Sequence, residues 1–203
     1  MSFSSKVKEE LSKECNSPRH CCIAETAAII SMCGKVIFDE KDRVRIEIHT
    51  ENVTVARKYF TLLKETYNIN TDISIRHSSS LNKNRSYVLS VNDDETARKI
   101  LMTCRLMKPF GVIEEDFSIS DSLIIQRECC KRAFIRGAFL ASGSVSDPVK
   151  TYHFEIVCND MRQAEHLRDM MNSFDVDAKI VQRKRTYVVY LKEGSQIVDI
   201  LNV

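Results

Sequence analysis

The sequence predicts an α+β fold made of two copies of one αββαββα unit related by a pseudo-two-fold axis. Three observations lead there. Two helical runs rich in small residues each end at a glycine, Gly34 and Gly143. After each of them, alternating and helical apolar patterns recur in the same order. The residues repeat as well: Cys21-Cys22 falls on Cys129-Cys130 and, at the same offset, Ile46-Glu47-Ile48 on Phe154-Glu155-Ile156, Asn52 on Asp160, and Ala56 on Ala164. Tyr87-Val88 returns as Tyr187-Val188 at a smaller offset, so the second copy has the shorter hairpin loop.

The elements follow in order. Phe3 to Glu14 reads as a short amphipathic helix capped by Ser4 or Ser5, with Phe3, Val7 and Leu11 on one stripe and a charged face left to solvent. Pro18 breaks the chain, and a second helix runs through Cys22, Ala24, Ala27, Ala28, Ile29 and Met32 to Gly34. Val36 to Phe38 and Val44 to His49 read as strands around the polar turn Asp39 to Asp42. In the second strand apolar Val44, Ile46 and Ile48 alternate with Arg45, Glu47 and His49. Asn52 to Tyr67 is helical, with Val55, Tyr59, Leu62 and Leu63 on one face. Ile73 to His77 and Tyr87 to Val91 are strands flanking a polar loop, and a helix from Asp94 to Leu106 closes the unit. Residues 1–108 thus form the first half, 109–122 an acidic connector and 123–203 the second half. In that second half the helix from Cys129 stops at Ser142 or Gly143, where a C-terminal cap belongs, because Asp147-Pro148 cannot continue it. A strand at Tyr152 to Val157, a helix at Asp160 to Phe174, strands at Ala178 to Gln182 and Tyr187 to Leu191, and a helix at Gln196 to Leu201 complete the copy. Asn52 and Asp160 suit helix N-caps.

With polar residues on one side of each sheet, helices cover one face and leave the other open. The two small-residue helices are the natural contact between halves, through Ala28, Gly34, Gly137 and Gly143. If Ile46, Ile48 and Ile75 face the helices, Arg45, Glu47, His49, Ser74 and Arg76 point outward. Their second-half counterparts are His153, Glu155, Lys179 and Arg183, and Lys83, Arg85, Lys184 and Arg185 extend the basic rim. Such a surface suits phosphate contacts. Glu47 and Glu155 count against that reading, since each puts a negative charge mid-surface.

Composition sets the outer limits. The chain has 203 residues, 43% of them hydrophobic, and a formal net charge of +2, far from the basicity of a histone-like protein. Mildly basic blocks flank the acidic connector. Eight cysteines without an apolar N-terminal run predict a reduced, cytoplasmic protein, and no stretch is long enough to span a membrane. Cys15, His20, Cys21 and Cys22 invite a zinc reading, but no cysteine pair among them has zinc-knuckle spacing, so the cysteines are read as buried free thiols. Neither metal nor cofactor is expected.

The order of elements and the two glycine-ended helices resemble the LAGLIDADG homing endonucleases, whose motif forms the central helix of each half and whose paired sheets make a saddle over DNA. Within that superfamily, the start Met1-Ser2-Phe3-Ser4, the Cys-Cys pairs and the run RGAFLASGSVSDP from Arg136 to Pro148 are similar to the WhiA family of bacterial regulators. That resemblance implies a DNA-binding regulator of sporulation and cell division, nucleoid-associated, with double-stranded DNA held weakly by this part of the chain and other regulatory proteins as further partners. The family's C-terminal helix-turn-helix domain is absent from this sequence. In the endonucleases the residue before each motif's final glycine is an acid that holds divalent metal. Cys33 and Ser142 stand there instead, and neither is a carboxylate ligand for Mg²⁺. The expectation is a domain without catalysis; the alternatives are a protein-interaction scaffold and a residual endonuclease using a substitute acid such as Asp39 or Asp147.

Overall fold

The structure, a computed structural model, describes residues 2–14, 17–69, 72–77, 85–107 and 123–203, with the side chains of residues 73–77 and 85 outside the described set. The connector 109–122, Lys83 and Cys15 lie outside the described residues. Helix α1 spans Phe3–Ser12 and α2 Arg19–Cys33. Strands β1 (Gly34–Phe38) and β2 (Val44–Thr50) come next, then α3 (Val53–Tyr67), β3 (Asp72–His77), β4 (Arg85–Val91) and α4 (Asp94–Thr103). The second half opens with a 3-10 turn at Leu123–Ile125. It continues with α5 (Glu128–Ser142), β5 (Gly143–Val145), β6 (Phe154–Cys158), α6 (Met161–Asn172), β7 (Lys179–Arg183), β8 (Thr186–Leu191) and α7 (Gly194–Leu201).

Each half builds one antiparallel four-stranded sheet, in the orders β1-β2-β4-β3 and β5-β6-β8-β7. The register repeats between them: Ile48 pairs with Gly34 and Leu89 in the first sheet, as Ile156 pairs with Gly143 and Val189 in the second. Ile46, Ile48, Leu89, Phe154, Ile156 and Val189 are buried under the helices, while Glu47, His49, His153 and Glu155 keep partial exposure on the other face. Phe139 of α5 stacks on Phe154 with ring centroids 5.0 Å apart, which seats α5 on its sheet. Asn52 and Asp160 cap α3 and α6 as expected, accepting from the amides of Thr54 and Gln163, each at 2.8 Å.

Three local details depart from the sequence reading. Ser2, not Ser4 or Ser5, caps α1, and Ser4 instead accepts the β5 edge amide of Val145 at 3.3 Å. The sequence reading left β5 out because three residues are too few to alternate visibly, and the following strand starts at Phe154 instead of Tyr152. Gly34 and Gly143 do end their helices, but in extended backbone (φ −87° and −86°), without the left-handed turn of a glycine cap. Their need for glycine is steric: a Cβ at Gly34 would fall on the carbonyl oxygen of Ile30, and one at Gly143 would come within 2.7 Å of that of Phe139. Each helix can therefore pass directly into the first strand of its sheet.

Helices α2 and α5 make the most extensive helix–helix contact among the described residues. An added Cβ on Gly137 would sit 2.9 Å from Ala28 Cβ and 2.7 Å from the Glu25 carbonyl oxygen, so the two backbones approach as closely as side chains permit. At Gly34 and Gly143 an added Cβ would first meet the residue's own helix, at Ile30 and Phe139.

Candidate nucleic-acid interface

On β2, alternation places Arg45, Glu47 and His49 in succession along the uncovered face. The Glu47 carboxylate lies 3.0 Å from His49 Nε2 through Oε2 and 3.5 Å from Arg45 Nη2 through Oε1. The second sheet repeats the cluster with different spacing. His153 Nε2 is 2.9 Å from Glu155 Oε2, Arg183 Nη1 donates to the same oxygen at 2.7 Å, and Ser144 Oγ donates to Oε1 at 3.3 Å. Burial works against ionising Glu155, but the His153 hydrogen bond and the Arg183 guanidinium outweigh it and hold the carboxyl below the usual range. Glu47 and Glu155 are thus not bare negative charges in the middle of each surface, as their alternation alone suggests. Each one gathers and orients cationic neighbours whose outer edges stay in solvent: the Arg45 and Arg183 side chains are 49% and 50% exposed.

The remaining basic residues are more scattered. Lys179 is exposed and pairs with Asp177 at 3.4 Å, so part of its charge is already answered. Lys184 and Arg185 form the exposed β7–β8 turn, where Lys184 adopts a left-handed φ of 55°. The backbone of Arg76 pairs with Ser86, and that of Arg85 with His77, at the far end of the β3–β4 hairpin. Sequence reasoning overlooked Tyr190, Lys192 and Lys35. Tyr190 pairs across from Glu155, stacks on His153 at 6.4 Å and carries Lys192 Nζ 5.3 Å from its ring centroid. Lys35 lies opposite Glu47 on β1. The signal for Tyr190 and Lys35 was present in the strand alternation, once the register with the glutamates was known.

Where the central helices end, Cys33 Sγ and Ser142 Oγ both turn back onto their own helices. They donate to the carbonyls of Ile29 and Ala138 at 3.3 Å each. Burial pushes the Cys33 thiol up to about 12, with Lys8 opposing. Lys8 of α1 reaches this point, donating to the Leu140 carbonyl at 2.9 Å with its ammonium 5.7 Å from the Phe139 ring centroid. Burial brings its pKa down to about 8, against the pull of Cys33. The expectation that the polar face of α1 is merely solvated therefore fails at Lys8. On the opposite half, Asn159 Nδ2 and Gln163 Nε2 donate to the last carbonyls of α2, Gln163 reaching Ser31 O at 3.0 Å. Asp39 and Asp147 hold loops: Asp39 accepts from the amides of Lys41 and Arg43 and from the Arg43 side chain, and Asp147 accepts from the Val149 amide.

Two central helices feeding two antiparallel sheets that are open on one side define a LAGLIDADG-like protein. Family models agree half by half: the WhiA N-terminal LAGLIDADG-like domain matches residues 19–107, and the WhiA LAGLIDADG-like domain matches residues 131–203. The chain belongs to the WhiA family. It is 49% identical over 203 residues to the probable cell division protein WhiA of Lachnoclostridium phytofermentans and 42% identical over 207 residues to that of Alkaliphilus metalliredigens. All of this chain is covered in both cases, and it spans 64% of the length of each relative. These relatives are named as cell division proteins, not as enzymes. Among solved structures, full-length DUF199/WhiA from Thermatoga maritima superposes with a TM-score of 0.73 at 22% identity, covering 100% of this chain and 61% of that one. The homing endonuclease I-DmoI in complex with DNA and Mn gives 0.62 at 17% identity, covering 92% and 99%. At these identities the structural likeness speaks for the fold alone. Among the described residues no helix is long and apolar enough to cross a membrane.

Proposed function

We propose that this chain is a DNA-engaging, non-cleaving domain of a WhiA-type regulator of sporulation and cell division. The observation that carries the reading is the doubled cluster of Arg45, Glu47 and His49 on one open face and Arg183, Glu155 and His153 on the other. Two ordered surfaces related by the pseudo-two-fold suit a duplex that crosses both sheets, in the manner of the DNA-bound endonuclease of the same fold. Phosphates are met by the outer edges of Arg45 and Arg183, by the Lys184–Arg185 turn and by Lys179. With a net charge of only +2, binding is weak and of low sequence preference.

The absence of cleavage follows from the donors at the helix ends. In-line phosphodiester hydrolysis needs hard cations near the scissile phosphate, and these take carboxylate oxygens. Cys33 brings a protonated thiol and Ser142 a hydroxyl bonded to its own helix, while Lys8 brings an amine. Asp39 and Asp147 are committed to their loops.

A fluorescence-anisotropy titration of the chain against a labelled duplex at two salt concentrations tests binding. The same protein incubated with supercoiled DNA and Mg²⁺ or Mn²⁺ tests cleavage. Salt-dependent binding with intact plasmid supports the proposal. No binding at either salt concentration shifts the reading to a protein-interaction scaffold, and cleavage abolished by Asp39→Ala or Asp147→Ala restores the endonuclease.

A further inference from the structure

At the opposite ends of the two central helices, away from Cys33 and Ser142, four soft ligand atoms converge. His20 and Cys21 lie in the first turn of α2, and Cys129 and Cys130 in the first turn of α5. One ligand atom from each falls within 4.8 Å of all the others. His20 Nδ1 is 3.2 Å from Cys130 Sγ and 3.3 Å from Cys21 Sγ. We propose that His20, Cys21, Cys129 and Cys130 hold one zinc(II) ion, which staples the two halves together at the N-termini of α2 and α5.

The geometry and the donor chemistry both fit. Tetrahedral zinc with Zn–S near 2.3 Å and Zn–N near 2.0–2.1 Å sets its ligand atoms roughly 3.5–3.8 Å apart, so the four need move by no more than about 1 Å. Three thiols and an imidazole are a set that selects zinc and rejects Mg²⁺ or Ca²⁺. Binding sends three thiol protons to the buffer and leaves a centre of net charge −1. That negative charge sits at the positive ends of two helix dipoles, with the Arg136 and Arg127 charges close enough to act on Cys21 and Cys130 respectively.

Packing as small hydrophobes does not account for the cluster. Cys129 is exposed and His20 half-buried, so two of the four gain little from burial. Cys22, next in sequence, shows the contrast: its thiol turns away and donates to the Ser17 carbonyl at 3.3 Å. The set also draws two ligands from each half of the duplication, which is why no zinc-knuckle spacing appears within either segment. A bond there fixes how the two halves meet, and with it the angle between the two open faces.

The test is a metal count. The chain is purified in reductant with zinc supplied, passed through gel filtration to remove loosely held ion, and assayed by mass spectrometry for zinc. One zinc per chain is expected. Replacement by Co²⁺ should give sulfur-to-cobalt charge transfer and the intense visible bands of a tetrahedral site. Cys129→Ser, at an exposed position that leaves the fold intact, and His20→Ala should each weaken retention about tenfold or more, while Cys33→Ser, outside the cluster, should leave it unchanged. Zinc should also raise the melting temperature of the parent and not of Cys129→Ser. A reduced parent that retains no more zinc than Cys129→Ser would overturn the proposal, as would a parent that shows no cobalt spectrum and instead forms a Cys21–Cys129 disulfide in air.

Discussion

Arg136 and Glu25 form a two-pronged ion pair between the halves of the molecule: Nε donates to Oε1 at 3.2 Å and Nη2 to Oε2 at 3.0 Å. The Glu25 side chain is fully buried, and its second support is Lys58 Nζ at 3.3 Å, itself held by the Glu14 carbonyl. A buried carboxylate needs both partners, because desolvation has removed its water. Arg136→Met should therefore destabilise the chain by about 3 kcal/mol in urea unfolding, within the range for breaking a buried pair from one side. Arg136→Lys should recover only part, since an ammonium cannot fork onto both oxygens. A loss under ~1 kcal/mol for the methionine variant would mean Lys58 alone satisfies Glu25.

One residue further along α5, Gly137 permits the close approach of α2, and here two effects oppose each other. Helix propensity alone would make Gly137→Ala stabilising by roughly 1 kcal/mol. The added methyl would meet Glu25 O at 2.7 Å and Ala28 Cβ at 2.9 Å, and the first of these is backbone that cannot rotate away. Overpacking should win by about 1–3 kcal/mol, so the melting temperature falls, and falls further in Gly137→Leu. A rise in either variant would contradict this packing.

Much of this arrangement can be read from the chain, for a definite reason. The doubled αββαββα order rests on local periodicity, and burial of Ile46 and Ile48 with exposure of Arg45 follows from a period of two residues. Ala28 against Gly137 was legible because small residues at helical spacing have few other uses. What stayed hidden depends on distance in sequence. Nothing in α1 indicates that Lys8 reaches Leu140, or in α6 that Gln163 reaches Ser31. Those contacts exist only once both halves are packed. The arginine partner of Glu155 stayed hidden likewise, since Arg183 comes from a strand not adjacent to β6. His20 and Cys21 look incomplete until α5 brings Cys129 and Cys130 beside them.

Lys8 supplies a pH signature. Its amine titrates at about 8 in the fold against 10.5 in the open chain, so between those values the unfolded state binds more protons. A depressed pKa of this kind contributes stability that is fully present above pH 10.5, declines as pH falls, and is lost below about 8. The unfolding free energy of the parent minus that of Lys8→Met should thus rise by ~2 kcal/mol from pH 8 to 10.5, after discounting for solvent screening of a half-buried amine. Taking the difference matters, because the thiols run the other way. Cys104 and Cys158, pushed by burial from 9.0 to about 12, stabilise the fold below pH 9 and lose that contribution as pH rises through 12. Urea titrations of both proteins in reductant give the difference directly, and a pH-independent one would mean that Lys8 stays hydrated.

The second open face offers the sharpest test of DNA contact, because its arginine has two jobs. Arg183 presents one edge to solvent and neutralises Glu155 with the other at 2.7 Å, whereas Lys184 and Arg185 lie on the turn beyond it. Arg183→Ala removes a cation and leaves Glu155 with His153 and Ser144, so a negative charge faces the duplex. Lys184→Ala removes a cation only. Affinity should therefore fall further in Arg183→Ala than in Lys184→Ala, and Glu155→Gln placed on the Arg183→Ala background should restore part of the loss. The triple variant Arg183→Ala, Lys184→Ala, Arg185→Ala should flatten the plot of log affinity against log salt by about 0.9 for each phosphate that is no longer neutralised. Anisotropy titrations at four salt concentrations measure both quantities. If the triple variant keeps the parent's slope, this hairpin does not touch phosphate, and the first sheet or another segment binds the duplex instead.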